Sequence, residues 1–344
     1  MVWFDEASLR QVLSNCVFIL TVDEATKAKG MGFSFHRRRR IADARAAGRH
    51  AEMLLPPSHM RIVTKRARNR SWQKRLPSGS TTPTRFLGLD SPGHTFIDNP
   101  PSDFGYWVFA GDLHGDWRAT SRLVDFVSAN PNYRLCFLGD LFDRGLDEWR
   151  CFHCLLNFVH RFPNRALWLA GNHDTPEAAP WSQSRNSEML LLRQQLVPRL
   201  PRFAILGSGV AAVHAGLPTK VALRACAHDS ASADTLCQRS FLTARYAPRA
   251  TTKYDAELTF TPADVCYFSH QIGIPGGISL LIRGHDHPGS GVEWNYETDD
   301  LRILSLLAST QVGNVWNKPQ WRTSVAVALW RPGHDLTIVK LPIV

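Results

Sequence analysis

The chain is 344 residues long, 44% hydrophobic and 20% charged, with a formal net charge of +10. Such a composition folds rather than staying disordered, and the length holds one large core with an appendage, or two domains. No apolar run nears the roughly 18 residues of a membrane span, and the run at 16–22 follows Asp5, Glu6 and a single base, Arg10, unlike a secretory leader. A cytoplasmic protein with no membrane partner is therefore expected.

The charge is uneven: residues 1–105 hold 17 Lys/Arg and 9 Asp/Glu, so +8 of the +10 lies in the N-terminal third. Asp5 precedes Leu9, Val12 and Leu13 as the cap of a first helix, and a second helix is expected over about 36–55, opening on Arg37–Arg40. A further basic cluster follows at Lys65, Arg66, Arg68, Arg70, Lys74 and Arg75, around Trp72. Residues 1–76 thus read as a basic, largely helical extension. Its lysines and arginines fit a nucleic acid or another acidic partner, or an acidic face of the same chain. Residues 77–103, rich in Pro, Gly, Ser and Thr, read as a linker or a surface-hugging arm.

From residue 104 strands and helices alternate. Strand 106–110 leads to a helix ending near 129, strand 134–138 to a helix over 147–161, and strand 166–170 closes the series. Further β-rich stretches lie at 203–206, 210–214, 278–282, 302–306, 323–329 and 336–340. The hairpin character of the tail suggests a second sheet packed on the first, giving an α/β/β/α sandwich over 104–344.

Five motifs sit where these strands end: Gly-Asp-Leu-His-Gly at 111–115, Gly-Asp-Leu-Phe-Asp-Arg-Gly at 139–145, Gly-Asn-His-Asp at 171–174, His-Ala-Gly-Leu at 214–217 and Gly-His-Asp-His at 284–287. Open α/β sheets place their sites beyond the carboxyl ends of strands. Asp112 and His114, two residues apart, can reach one metal together. Asp140 is the natural bridging carboxylate, and Asn172, His214 and His285 complete a second metal position. Mixed oxygen and nitrogen donors suit two divalent ions such as Mn, Fe or Zn, and two such ions suit hydrolysis of a phosphate ester. The seven cysteines are odd in number and scattered, which is no disulfide framework. Cys151 and Cys154, on an apolar helical stretch, read as packed thiols rather than a metal or redox pair.

These blocks, above all Cys136-Phe-Leu-Gly-Asp-Leu-Phe-Asp-Arg-Gly, Gly-Asn-His, Val213-His-Ala-Gly-Leu-Pro and Ile282-Arg-Gly-His-Asp, resemble the calcineurin-like metallophosphoesterases. Within them the likeness is to the phosphoprotein phosphatase (PPP) family of Ser/Thr phosphatases. It implies that Arg144 clamps the phosphate, that His173 protonates the leaving oxygen, and that Asp143 orients His173. A metal-activated hydroxide would attack a phosphoprotein or a phosphorylated small molecule. Departures from the family pattern are Asp174 in place of Glu, Ala170 in place of Arg, and Gln311 where a substrate-contacting Tyr is common. His287 is extra relative to most PPP members and, in the wider superfamily, reaches the first metal. A second phosphate-binding Arg has three candidates, Arg245, Arg249 and Lys253. These departures motivate one alternative, a diadenosine polyphosphate or other nucleotide hydrolase. A second alternative is a nucleic-acid-associated adaptor with a vestigial site.

Overall fold

The computed structural model describes residues 95–98, 105–145, 147–162, 165–176, 187–206, 209–226, 231–248, 258–274, 276–312 and 320–343. The basic extension, with both its expected helices and its arginine clusters, lies outside them, as do Arg249 and Lys253. Four residues of the Pro/Gly-rich stretch form β1 (Thr95–Asp98), which pairs in parallel with β5 (Phe203–Leu206).

Near-continuous apolar runs build the first sheet. β2 (Tyr106–Ala110), β3 (Tyr133–Phe137) and β4 (Ala166–Trp168) are parallel neighbours. Such runs mark strands covered on both faces. Residues alternate sides along a strand, so Val108, Ala110, Leu135 and Phe137 meet α1 (Trp117–Ala129) and α2 (Glu148–Arg161). Trp107, Phe109, Cys136 and Leu138 point the other way, into the space between sheets. Each helix starts where its sequence demands: the Asp116 carboxylate accepts from Ala119 N at 3.1 Å and the Asp147 carboxylate from Arg150 N at 3.1 Å. In α1, Ala119, Leu123 and Val127 recur every four residues and form its buried stripe.

The second sheet runs β1-β5-β6-β9-β11-β10, with β6 (Val210–Val213), β9 (Leu280–Arg283), β10 (Val292–Glu297) and β11 (Arg302–Leu306). Its inner residues Leu206, Ala212, Ile282 and Leu304 meet those of the first sheet. Phe203, Ala211, Leu281 and Ile303 face outward, against Phe241 of α5 (Ala231–Thr243) and Phe268 of α6 (Pro262–Gln271). Each fully buried Phe or Leu here is worth roughly 1.5–3 kcal/mol. The four-layer α/β/β/α sandwich is therefore the observed fold.

The tail differs from its expected place. β14 (Ser324–Trp330) and β15 (Thr337–Pro342) form a hairpin, but it joins the first sheet: β14 lies antiparallel to β2, and β15 is the edge. Trp330 and Ala328 need the inter-sheet core while Val325, Val327 and Leu329 need the helical layer, and only a place beside β2 satisfies both faces. Short two-stranded pairs are made by β7 (Arg245–Tyr246) with β8 (Thr259–Phe260), and by β12 (Gln311–Val312) with β13 (Gln320–Trp321). The remaining helices are α3 (Ser187–Leu196) and α4 (Lys220–Cys226). Among the described residues no helix is long and apolar enough to cross a membrane.

Candidate metal centre

The loops after β2, β3, β4, β6 and β9 converge on one cavity of about 240 Å³, lined by Asp140, Arg144, Asn172, His173, Arg245, His285 and His287. Backbone hydrogen bonds lace the loops together. Leu113 N and His114 N donate to Asp140 O at 3.0 and 2.9 Å, Ser309 N to Asp112 O at 2.7 Å, and Gly284 N to His214 O at 2.8 Å. The turns are tight enough to force unusual backbone. Among the described residues the non-glycine positions with positive φ are His114 (47°), Asp140 (58°), Asp143 (70°), Arg144 (67°) and His285 (65°), and all five belong to the motifs. Such conformations cost of order 1–3 kcal/mol each and persist where surrounding structure imposes them. At Gly171 a Cβ would overlap the Asp140 nitrogen and carboxylate, so the close approach of the two loops requires glycine there.

Every sequence-predicted ligand arrives at this place. Asp112, His114 and His287 bring one donor atom each to within 4.8 Å of one another, and Asp140, His214 and His285 do the same beside them. The carboxylates are oriented alike: Oδ1 of Asp112 accepts from His285 N at 2.9 Å and Oδ1 of Asp140 from His173 N at 2.7 Å. Their Oδ2 atoms face inward. Asp140 Oδ2 is buried with no hydrogen-bond partner; the His214 and His114 Nε2 atoms stand 3.4 and 3.8 Å away.

The imidazoles are aimed by their far sides. His114 Nδ1 donates to Phe142 O at 3.0 Å and His214 Nδ1 to Leu138 O at 2.9 Å, which leaves each Nε2 lone pair directed inward. There His114 Nε2 lies 3.2 Å from His287 Nε2, and the Asn172 amide oxygen lies 2.9 Å from His214 Nε2 and 3.0 Å from His285 Nδ1. The inward lone pairs of His114 and His214, set around an unpartnered carboxylate oxygen, call for positive charge. The titration behaviour agrees. Burial disfavours a proton on His214, yet the charges of Asp140 and Asp112 raise its pKa to about 9. Burial pushes Asp112 up, but the neighbouring His114 and His287 side chains hold it well below the usual carboxylate range. Burial, with the charges of His214 and Arg283, depresses His285. The donor set fits two divalent cations.

Beside these donors, His173 Nδ1 lies 2.8 Å from Asp143 Oδ2, and Arg144 Nη2 donates to His173 Nε2 at 2.9 Å. Arg144 Nη1 donates to His287 Nδ1 at 3.1 Å. Asp174 lies behind the cavity. Its carboxylate accepts from Asp140 N (2.9 Å), Leu141 N (2.8 Å) and Gly171 N (3.0 Å), so it ties the β3 and β4 loops together. Burial and the charge of Asp140 raise its pKa to about 6. Of the three candidates for a second phosphate contact, Arg245 reaches the cavity wall, where it pairs with Asp286 at 2.9 Å. Gln311 is not among the lining residues; its N–H donates to Ser309 Oγ at 3.1 Å. Cys151 is buried and Cys154 half-buried, both free, and burial pushes their thiols up to about 12 and about 11, as packed thiols require.

The sequence reading missed three contributors. Glu148 accepts from Asp143 N at 2.9 Å, and the fully buried Arg193 lies behind both acids. Arg283, also fully buried, donates to Asp286, Ala215 O and Ser305 Oγ. Glu148, as the first residue of a capped helix, carried a weak signal; Arg193 carried none.

A strained, histidine-rich cavity thus lies at the carboxyl ends of the strands of a double-sheet sandwich, with donors that suit a pair of cations. Residues 107–289 match the calcineurin-like phosphoesterase family, and the chain belongs to it. A putative serine/threonine-protein phosphatase of Caenorhabditis elegans is 36% identical over 66 residues, 19% of this chain and 18% of the relative. The catalytic subunit of serine/threonine-protein phosphatase 4 of Kluyveromyces lactis is 27% identical over 143 residues, 39% of this chain and 44% of the relative. These matches thus span less than half the length of either relative. Among solved structures, a protein serine/threonine phosphatase of Saccharomyces cerevisiae, similar to human phosphatase PP5, shares the fold with TM-score 0.53. It is 16% identical, covering 76% of this chain and 87% of its own.

Proposed function

We propose that the protein is a phosphomonoesterase acting on phosphoserine and phosphothreonine in proteins. The convergence of two three-residue donor groups beside Arg144 and the Asp143–His173 pair carries this reading. Asp112, His114 and His287 would hold one cation, Asn172, His214 and His285 the other, and Asp140 both; Mn, Fe and Zn all suit these donors. When bound, the cations supply Lewis acidity, lowering the pKa of water and neutralising phosphate charge.

The chain's own residues do the rest. Arg144 offers a planar fork to two phosphate oxygens, and Arg245, which also lines the cavity, serves as the second phosphate contact. Once Arg144 turns from His173 Nε2 to the phosphate, that nitrogen is free to carry the proton that His173 delivers to the departing alkoxide oxygen as the P–O ester bond breaks. Asp143 accepts the Nδ1–H and supports the ring's charge. Water is the nucleophile that the candidate cations would activate, and one water is consumed per turnover as the ester bond is replaced by a P–O bond to its oxygen. The relatives' names support a phosphoprotein substrate over a nucleotide.

The test is turnover of a phosphoserine peptide, a dinucleoside tetraphosphate and p-nitrophenyl phosphate with added manganese. Preferred cleavage of the peptide is expected. Preference for the dinucleotide would reassign the substrate class, and a metal-loaded protein that cleaves none of the three would overturn the reading.

A further inference from the structure

We propose that Arg193, on α3, is a positioning residue for the proton donor His173, acting through Asp143; this rests on His173 being the acid of the reaction. Arg193 is 0% exposed and none of its three guanidinium nitrogens has a hydrogen-bond partner among the described residues. Its Nη2 lies 3.9 Å from Asp143 Oδ1 and 3.8 Å from Glu148 Oε2, and its Cζ sits 4.6 Å over the Phe142 ring. Asp143 Oδ1 likewise has no hydrogen bond, while its Oδ2 is the atom that meets His173 Nδ1 at 2.8 Å.

These contacts are too long for hydrogen bonds and too close for indifference. Two carboxylates, Asp143 and Glu148, are buried side by side, and such a pair is costly without a countercharge. Arginine cannot shed its proton, so Arg193 compensates both under all conditions. By drawing Oδ1 to its own side, Arg193 turns Oδ2 toward the imidazole and sets the ring with Nε2 on the cavity. Its stacking under Phe142 supports the same loop from below, where Asp143 and Arg144 both hold left-handed backbone.

An ordinary buried ion pair would matter for stability alone, and the leaving group separates the two roles. A proton donor matters for a poor leaving group and little for p-nitrophenolate, which departs unprotonated. The experiment measures kcat/KM on phosphoserine peptide, phenyl phosphate and p-nitrophenyl phosphate for wild type, Arg193→Met, Arg193→Lys, Asp143→Asn and the Arg193→Lys/Asp143→Asn double variant. Metal content is read on each preparation. Arg193→Met should lose about 10- to 100-fold on the poor leaving groups but only a few-fold on p-nitrophenyl phosphate. Lysine should restore part of the difference. In the Asp143→Asn background the Arg193 change should add nothing to the leaving-group dependence.

Equal loss on all three substrates, or full additivity with Asp143→Asn, would overturn the proposal. If Arg193→Met does not fold, Arg193→Lys decides by the same ratio. Should Asp143→Asn itself show no leaving-group dependence in an active enzyme, the acid assignment fails first and takes this inference with it.

Discussion

The two sheets contribute unlike halves to one site. The first supplies Asp112, His114, Asp140 and Asn172 from short turns at the carboxyl ends of its parallel strands. Four of the five left-handed residues fall there: His114, Asp140, Asp143 and Arg144. The second sheet supplies His214, His285 and His287, and of these His285 alone has positive φ. In the first half strained backbone helps set the direction of His114 and Asp140. In the second it depends on contacts reaching across, since His214 is aimed by Leu138 O of the first sheet and His285 N is tied to Asp112. Neither half is preformed without the other.

The comparison can be broken at the atom both halves share. Asp140→Asn should cut kcat about 10³-fold, with metal content falling in the same preparation; near-normal activity would mean the halves do not meet at Asp140. A cut through the second half alone is His214→Gln. It should cost about 100-fold and, by metal analysis, leave one equivalent held by Asp112, His114 and His287. Asp174 tests the strained half without touching a donor side chain. In Asp174→Asn an amide N–H2 would oppose a backbone N–H, loosening the β3 and β4 loops. Activity should fall about 10-fold with metal stoichiometry unchanged.

The smallest effect sharpens the contrast between site and scaffold. Alkylation requires the thiolate. Burial raises Cys136 far above its ordinary value and Cys151 to about 12, so both stay protonated at pH 8 and become reactive only as pH climbs toward those values or the protein unfolds. Mass spectrometry after iodoacetamide should find them unmodified in the native protein, with the exposed Cys266 labelled.

Much of this was legible beforehand because local rules and global structure agree in the first half. Strands 106–110, 203–206 and 302–306 coincide with the observed ones, and the helix expected at 147–161 starts one residue later, at Glu148. Each donor sits in a glycine-flanked turn after an apolar run, and that pattern needs no partner to be read. The features that escaped notice depend on distant packing. α3 has little amphipathic character in its sequence, so neither it nor Arg193 stood out. β10 alternates poorly, and its half-buried face is explained by lying at the edge of the second sheet. α6 was readable in hindsight, for Thr261-Pro-Ala-Asp264 forms a full capping box. The hairpin β14–β15 was seen but given to the wrong sheet, since strand pattern says which faces are apolar and not which neighbour covers them.

The placement of β14 also bears on how little of the chain could work alone. All the candidate donors precede residue 288 and the family match stops at 289, yet β2, which leads into the loop of Asp112 and His114, has Ala328, Leu329 and Trp330 paired along one side. A fragment cut after His287 would bare that side as an unpaired, wholly apolar margin, prone to recruit other chains. It is expected to aggregate with every candidate donor still in place, so the smallest unit that folds extends at least through the final hairpin.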